Sequence, residues 1–181
     1  MADKELIQEI LLGNNNAFKT LVEKYQQQVF RVVMGFVHSK EDAEDVTQDI
    51  FIKVYQSLSS FKGKSEFSTW LYRVAVNMSL NFINRNKKNS ILESLEKLFH
   101  KSSDEKTPLE QMEDAERDKL IQEAIDSLPE KQKTAFVLSR YEELSQKKIA
   151  SIMDTTEGAV EQLLQRAKAN LQKKLSIKGK N

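Results

Sequence analysis

Cysteine is absent from the 181 residues, which excludes disulfides and thiolate metal sites together. Glycine (5) and proline (2) are scarce, so helices are favoured and strands should be rare. The few glycines are scattered and form no phosphate-cradling loop. The two histidines, His38 and His100, lie far apart, and neither sits in a ligand-like spacing or beside a nucleophile motif. No metal, no cofactor and no catalytic constellation are therefore expected. No apolar run approaches a membrane span, and the opening MADKELIQEI lacks the apolar stretch of a signal peptide. The expected location is cytoplasmic, without direct membrane insertion.

Net charge is also nearly lacking, at +1, but it is segregated. Residues 1–90 carry 12 Lys and Arg against 10 Asp and Glu, residues 91–118 carry 4 against 9, and residues 119–181 carry 12 against 8. An acidic segment between two mildly basic blocks reads as a linker, least ordered over Ser102–Gln111. The expected fold is all-α: two small helical domains, 1–90 and 112–181, joined by a flexible acidic linker at 91–111. Such mild basicity implies that neither domain holds nucleic acid by bulk electrostatics, so affinity needs a partner.

What is present is helical periodicity. After a cap at Asn14–Asn16, Ala17, Phe18, Leu21, Val22, Tyr25, Val29, Val32, Val33 and Phe36 recur on one face of a long amphipathic helix. A second helix, capped at Ser39 and Asp42, runs to about Leu58 with Ala43, Val46, Ile50, Val54 and Leu58 inward. Its other face aligns Asp45, Asp49, Ile52 and Gln56, a stripe of carboxylates beside an exposed aliphatic. That pattern fits a solvated face or a dock for another protein's helix.

The helix from Phe67 to Lys88 predicts Phe67, Leu71, Val74, Met78 and Phe82 inward and Trp70, Arg73, Asn77, Asn81, Asn84 and Lys88 on another side. Three Asn and an exposed Trp are poor helix design, but they suit nucleic acid. Asn hydrogen-bonds base edges, cations meet phosphates, and Phe61, Phe67 and Trp70 could stack on unpaired bases. The preceding loop adds Lys62 and Lys64 around Gly63 and could accept an extruded base. Trp70 as a packing residue with solvated Asn neighbours is the plain alternative.

Residues 145–171 read as two helices around a tight turn, the outline of a helix-turn-helix reader of DNA. Ile149, Ala150 and Met153 should pack inward. Asp154 tolerates the left-handed turn, Thr156 accepts the amides that open the second helix, and Val160 and Leu164 face the core. Glu157, Glu161, Gln162, Gln165, Arg166 and Lys168 then point outward, with donors and acceptors suited to base edges and phosphates.

Together, DAEDVTQDIFIKVYQSLSSFKGKSEFSTWLYRVAVNMSLNFI and, after the linker, SLPEKQKTAFVLSRYEELSQKKIASIMDTTEGAVEQLLQRAKANL resemble an extracytoplasmic-function (ECF) sigma factor over most of the chain. The resemblance implies an initiation subunit, not an enzyme, that directs core RNA polymerase to promoters in response to stress or an envelope signal. Its implied partners are core RNA polymerase and promoter DNA, with an anti-sigma factor as a further candidate. It places core-polymerase binding on Asp45, Gln48, Asp49, Ile52 and Gln56. Minus-10 recognition and melting fall on Phe61, Lys62, Lys64, Phe67, Trp70, Arg73, Asn77, Asn81, Asn84 and Lys88. Minus-35 recognition falls on Lys148, Thr156, Glu157, Glu161, Gln162, Gln165, Arg166 and Lys168.

Departures from the family pattern are Asp154 where glycine is common, Glu161, Gln162 and Leu163 where Lys-Ser-Arg is common, Lys148 for the usual acid, and Asn81 for Asp. They leave the promoter preference open. Ile91, Leu92, Leu95, Leu98 and Phe99 could form a short amphipathic helix that contacts polymerase or an inhibitor, with simple local packing as the plain alternative. A stand-alone regulator is one rival class, and it leaves the stripes on the second and third helices unexplained; an adaptor is the other, and promoter-specific transcription with core polymerase distinguishes it.

Overall fold

In the computed structural model, backbone is described for residues 2–99 and 112–178 and side chains for residues 2–87 and 115–176. Eight α-helices occur among them: α1 (Asp3–Leu11), α2 (Asn15–Val37), α3 (Lys40–Ser57), α4 (Phe67–Phe99), α5 (Met112–Asp126), α6 (Glu130–Tyr141), α7 (Gln146–Met153) and α8 (Glu157–Lys178). A short 3-10 turn, Leu58–Ser60, follows α3. No strand is present among the described residues.

The helix boundaries follow side-chain chemistry. The Asn14 carboxamide oxygen accepts from the amides of Asn16 and Ala17 at 3.1 and 3.3 Å, supplying partners to the open end of α2. α2 stops at His38, whose φ of 61° no helix can continue. Ser39 then caps α3 by accepting from the Asp42 amide at 3.3 Å, and Glu41 and Asp42 lie in the first turn, where the helix dipole favours acids. The caps expected at Asn14 and Ser39 are thus in place, while Asp42, expected to share the second, is a first-turn acid whose amide donates to Ser39.

α1 to α4 enclose the first apolar cluster, in which Leu21, Val29, Ile50, Val54, Leu58 and Leu71 are fully buried. Each such side chain stabilises the fold by roughly 1.5–3 kcal/mol. α1 is clamped to α2 by the Asp3 carboxylate, which accepts from Lys24 Nζ at 2.5 Å and from the Tyr25 hydroxyl at 2.6 Å. Phe18 and Val22, expected inward, are only half-buried against this cluster.

A second cluster joins the halves of the chain. Val32 and Phe36 of α2 and Tyr72 and Val76 of α4 pack with Ala135, Val137 and Leu138 of α6, Ile149, Ala150 and Ile152 of α7, and Val160 of α8. α4 is therefore buried on two sides. At about 100° per residue, its inner face (Phe67, Leu71, Ala75) and its face toward α6 and α7 (Thr69, Tyr72, Val76, Ser79) leave an arc of roughly 160°, across the middle of which lie Trp70, Arg73, Asn77, Asn81 and Asn84. The sequence pattern predicts one buried side. Contact with the C-terminal helices creates the other. α4 also continues as helix to Phe99, past the expected end at Lys88. The side chain of Lys88 and those of Ile91, Leu92, Leu95, Leu98 and Phe99 lie outside the described residues, as does Ser102–Gln111.

Candidate nucleic-acid interface

Between α2 and α3 runs an open groove of about 1010 Å³. Phe18, Val22 and Phe30 of α2 line one wall, and Thr47, Gln48, Phe51, Ile52, Tyr55 and Gln56 of α3 line the other. Ile52 and Tyr55 are about half exposed, at 51% and 47%, which is unusual for large apolar side chains in an otherwise closed helical layer. Phe18 and Tyr55 meet edge to face across it, 4.9 Å between centroids. Of the α3 residues singled out in the sequence, Gln48, Ile52 and Gln56 line the groove, whereas Asp45 and Asp49 stand exposed on its solvent flank. The α2 wall was missed because Phe18, Val22, Gln26 and Phe30 repeat at four residues, a spacing that also reads as core.

Phe61, Phe67 and Trp70 cluster at the start of α4. Phe61 lies 5.8 Å from Phe67 and 5.4 Å from Trp70, and Phe67 lies 5.8 Å from Trp70. Phe67 is 3% exposed, so in this arrangement it supports the other two rings and offers no face to a base. Phe61 and Trp70 are half-buried, while Lys62, Lys64, Asn77, Asn81 and Asn84 are exposed. Arg73 is engaged: its Nε donates to the Ile152 carbonyl at 3.0 Å, and a second guanidinium nitrogen donates to that of Ser151.

In the C-terminal half, the Ser145 hydroxyl accepts from the Lys148 amide at 3.2 Å to start α7. Asp154 ends it with φ 51°, and the Thr155 amide reaches back to the Ala150 carbonyl at 3.0 Å. Thr156 then caps α8, accepting from the Ala159 amide at 3.2 Å. This is the expected helix-turn-helix, with Ile152 more deeply buried than Met153. Thr156, Glu157, Glu161, Gln162, Gln165, Arg166 and Lys168 are all exposed. Gln165 donates to Glu161 at 3.3 Å. Lys148 is instead tied to the other half: its ammonium donates to Glu66 and, at 2.8 Å, to Ser68. The Lys148 ammonium holds the Glu66 carboxyl below its ordinary range.

No group of three or more His, Cys, Asp and Glu side chains among the described residues could hold a metal ion. Nor is any described helix long and apolar enough to cross a membrane. The chemistry on offer is recognition: one apolar groove and two polar helix faces.

Residues 21–89 match the family model for sigma-70 region 2, and residues 118–171 match that for sigma-70 region 4. A region 2 and a region 4 on one chain define a sigma-70-type initiation factor. Sequence relatives narrow the class. The chain is 35% identical to the ECF RNA polymerase sigma-E factor of Haemophilus influenzae over 97% of its length and 96% of the relative's. It is 34% identical to the RNA polymerase sigma-H factor of Pseudomonas aeruginosa over 96% and 93%. It belongs to the extracytoplasmic-function sigma factors, which direct transcription initiation to promoters. The fold is that of CnrH, solved in complex with the cytosolic domain of CnrY, at a TM-score of 0.68 and 23% identity over 98% of this chain and 99% of that one. The sigma factor RpoE of Bartonella quintana, solved with the anti-sigma factor NepR, is similar at a TM-score of 0.59 and 20% identity over 88% and 97%.

Proposed function

We propose that the three surfaces divide the work of a sigma factor as follows. The α2–α3 groove, with Gln48, Ile52 and Gln56 in it and Asp45 and Asp49 on its flank, docks a helix of core RNA polymerase. Phe61, Lys62, Lys64, Trp70, Arg73, Asn77, Asn81, Asn84 and Lys88, supported by Phe67, recognise and open the minus-10 element. Lys148, Thr156, Glu157, Glu161, Gln162, Gln165, Arg166 and Lys168 read the minus-35 element. The protein acts in the cytoplasm without catalysis of its own, answers a stress or envelope signal, and is inhibited by an anti-sigma factor.

The observation that carries the reading is the groove. An apolar cleft with a half-exposed Ile52 and Tyr55 and acids on its flank fits an amphipathic helix that brings basic residues to its edge. The test is run-off transcription of host genomic DNA by core polymerase with and without the chain, mapping the 5′ ends. New 5′ ends sharing upstream elements are expected. Asp49→Lys should abolish them by weakening core binding by about 2–5 kcal/mol while its helical circular dichroism is retained. Unchanged 5′ ends on adding the wild-type chain would overturn the reading.

A further inference from the structure

The outward face of α8 carries the wrong charge for a surface that merely adheres to DNA. Glu157 and Glu161 stand exposed on its first two turns, ahead of Arg166 and Lys168. Neither acid is in an ion pair with a described Lys or Arg. At about 100° per residue, Glu161 lies toward one edge of this face and Arg166 toward the other, with Gly158, Gln162 and Gln165 between them and the buried Val160 and Ala167 behind.

Gly158 has no reason within the chain. Its φ is not positive, so no turn requires glycine, and a Cβ built there meets no atom within 4 Å. Alanine would fit the fold and favour the helix. What glycine does allow is close approach of another molecule to the backbone. Residues three positions apart are neighbours on a helix surface, so whatever approaches Gly158 also meets Glu161.

The Glu161 carboxylate is steadied for that encounter. Gln165 Nε2, one turn further on, donates to its Oε1 at 3.3 Å, and no described group donates to Oε2. A carboxylate accepts hydrogen bonds and donates none. In the major groove guanine offers it only the acceptors N7 and O6, thymine offers O4, and adenine sets N7 beside its amino group; cytosine alone presents a donor, N4, with no acceptor next to it on that edge. Phosphates repel the acid as well, so it lowers affinity for every sequence that lacks the cytosine.

We propose that Glu161 is a specificity-determining residue for the minus-35 element: its carboxylate accepts from the N4 amino group of one cytosine and excludes the other three bases at that pair, and Gln165 is a positioning residue that aims it. The inference rests on the assignment of the minus-35 element to α8 under Proposed function.

The test uses the full chain bound to core polymerase and a promoter fragment from the mapped transcripts, with each minus-35 base pair changed in turn to the other three. Wild type should favour cytosine at one pair by about tenfold, as a mismatched base pair costs in a specific site. Glu161 is exposed, so its variants keep the fold. Glu161→Ala should abolish the preference at that pair and bind the three other fragments more tightly than wild type does, the reverse of what loss of a cation gives. Glu161→Gln, which keeps the shape and can also donate, should admit guanine there. Gln165→Met, which removes the donor, should lower the same preference about threefold, as loss of one hydrogen bond would. Unchanged base preferences in Glu161→Ala, or loss of a preference for a base other than cytosine, would overturn the proposal, and an undiminished preference in Gln165→Met would overturn the positioning role. Arg166→Ala separates this from the underlying reading: if it alters binding and Glu161→Ala does not, only the role of Glu161 falls, whereas wild-type binding of every fragment by both variants overturns the assignment of α8 to the minus-35 element.

Discussion

Every buried member of the first apolar cluster lies within residues 6–75, so α1 to α4 close it by themselves; the second borrows Val32, Phe36, Tyr72 and Val76 from that half to complete the packing of α6, α7 and α8. The N-terminal half therefore owns a core, and the C-terminal half shares one. The same asymmetry separates the two candidate DNA faces. That on α4 is a narrow strip on a helix held from two sides, whereas that on α8 is an open flank of a helix held from one.

The sharpest way to break this comparison is to empty each core in turn. Leu21→Ala in the first cluster and Ile149→Ala in the second should each cost about 2–5 kcal/mol, since both residues are fully buried. Trp70, the single tryptophan, sits against the first cluster and reports on that half alone. In urea, Leu21→Ala should move the tryptophan transition, and Ile149→Ala should move the circular dichroism transition further than the tryptophan one. Coincident movement of both probes in both variants would mean one cooperative unit rather than an owned and a shared core.

A smaller effect tests the open flank. Arg166→Ala in the polymerase complex should weaken a minus-35 duplex, chosen from the mapped transcripts, by about 1–3 kcal/mol and relax specificity at one position. Uniform weakening across sequences, with a salt slope lower by about one, would reassign Arg166 to phosphate. Equal binding would remove it from the face.

The smallest effect concerns Asp126, at the end of α5, which bonds His38 of α2 at 3.2 Å and the buried Lys133 of α6. Burial pushes its carboxyl up, but hydrogen bonds from His38 and Lys133 and their charges outweigh this and hold it at about 2. Its stabilisation is present above the ordinary carboxyl value of 3.8 and is lost as pH falls toward 2. Because the side chain is 41% exposed, solvent screening leaves about 1 kcal/mol or less. Asp126→Asn should lower the melting temperature slightly at pH 7, with the gap to wild type closing below pH 4. A gap independent of pH would refute the ionic account.

Much of the fold was legible because it is written locally. Asn14, Ser39, Asp154 and Thr156 each act within a few residues of themselves, and each of these caps and turns forms as expected. The stripe on α3 was legible for the same reason, being the complement of a regular inner face. What escaped was non-local. Arg73 looks outward by periodicity, yet the end of α7 meets it there. Gly35 carries no signal until Val137 and Tyr141 are placed above it. α1 reads only as an amphipathic polar start until α2 supplies the surface that buries Leu6, Ile7 and Ile10.

If α4 opens the minus-10 strand as proposed, the ring cluster at its start sets the terms of that step. Trp70 is already in tilted ring contact with Phe61 and Phe67, so a base that took the place of either ring on its indole would exchange one partner for another. An aromatic pair is worth about 0.5–1.5 kcal/mol and a stacked base about 1–3 kcal/mol, so the exchange returns only their difference. Capture becomes a barter with a small net yield in either direction. A nucleotide held on those terms can be let go again when the polymerase leaves the promoter.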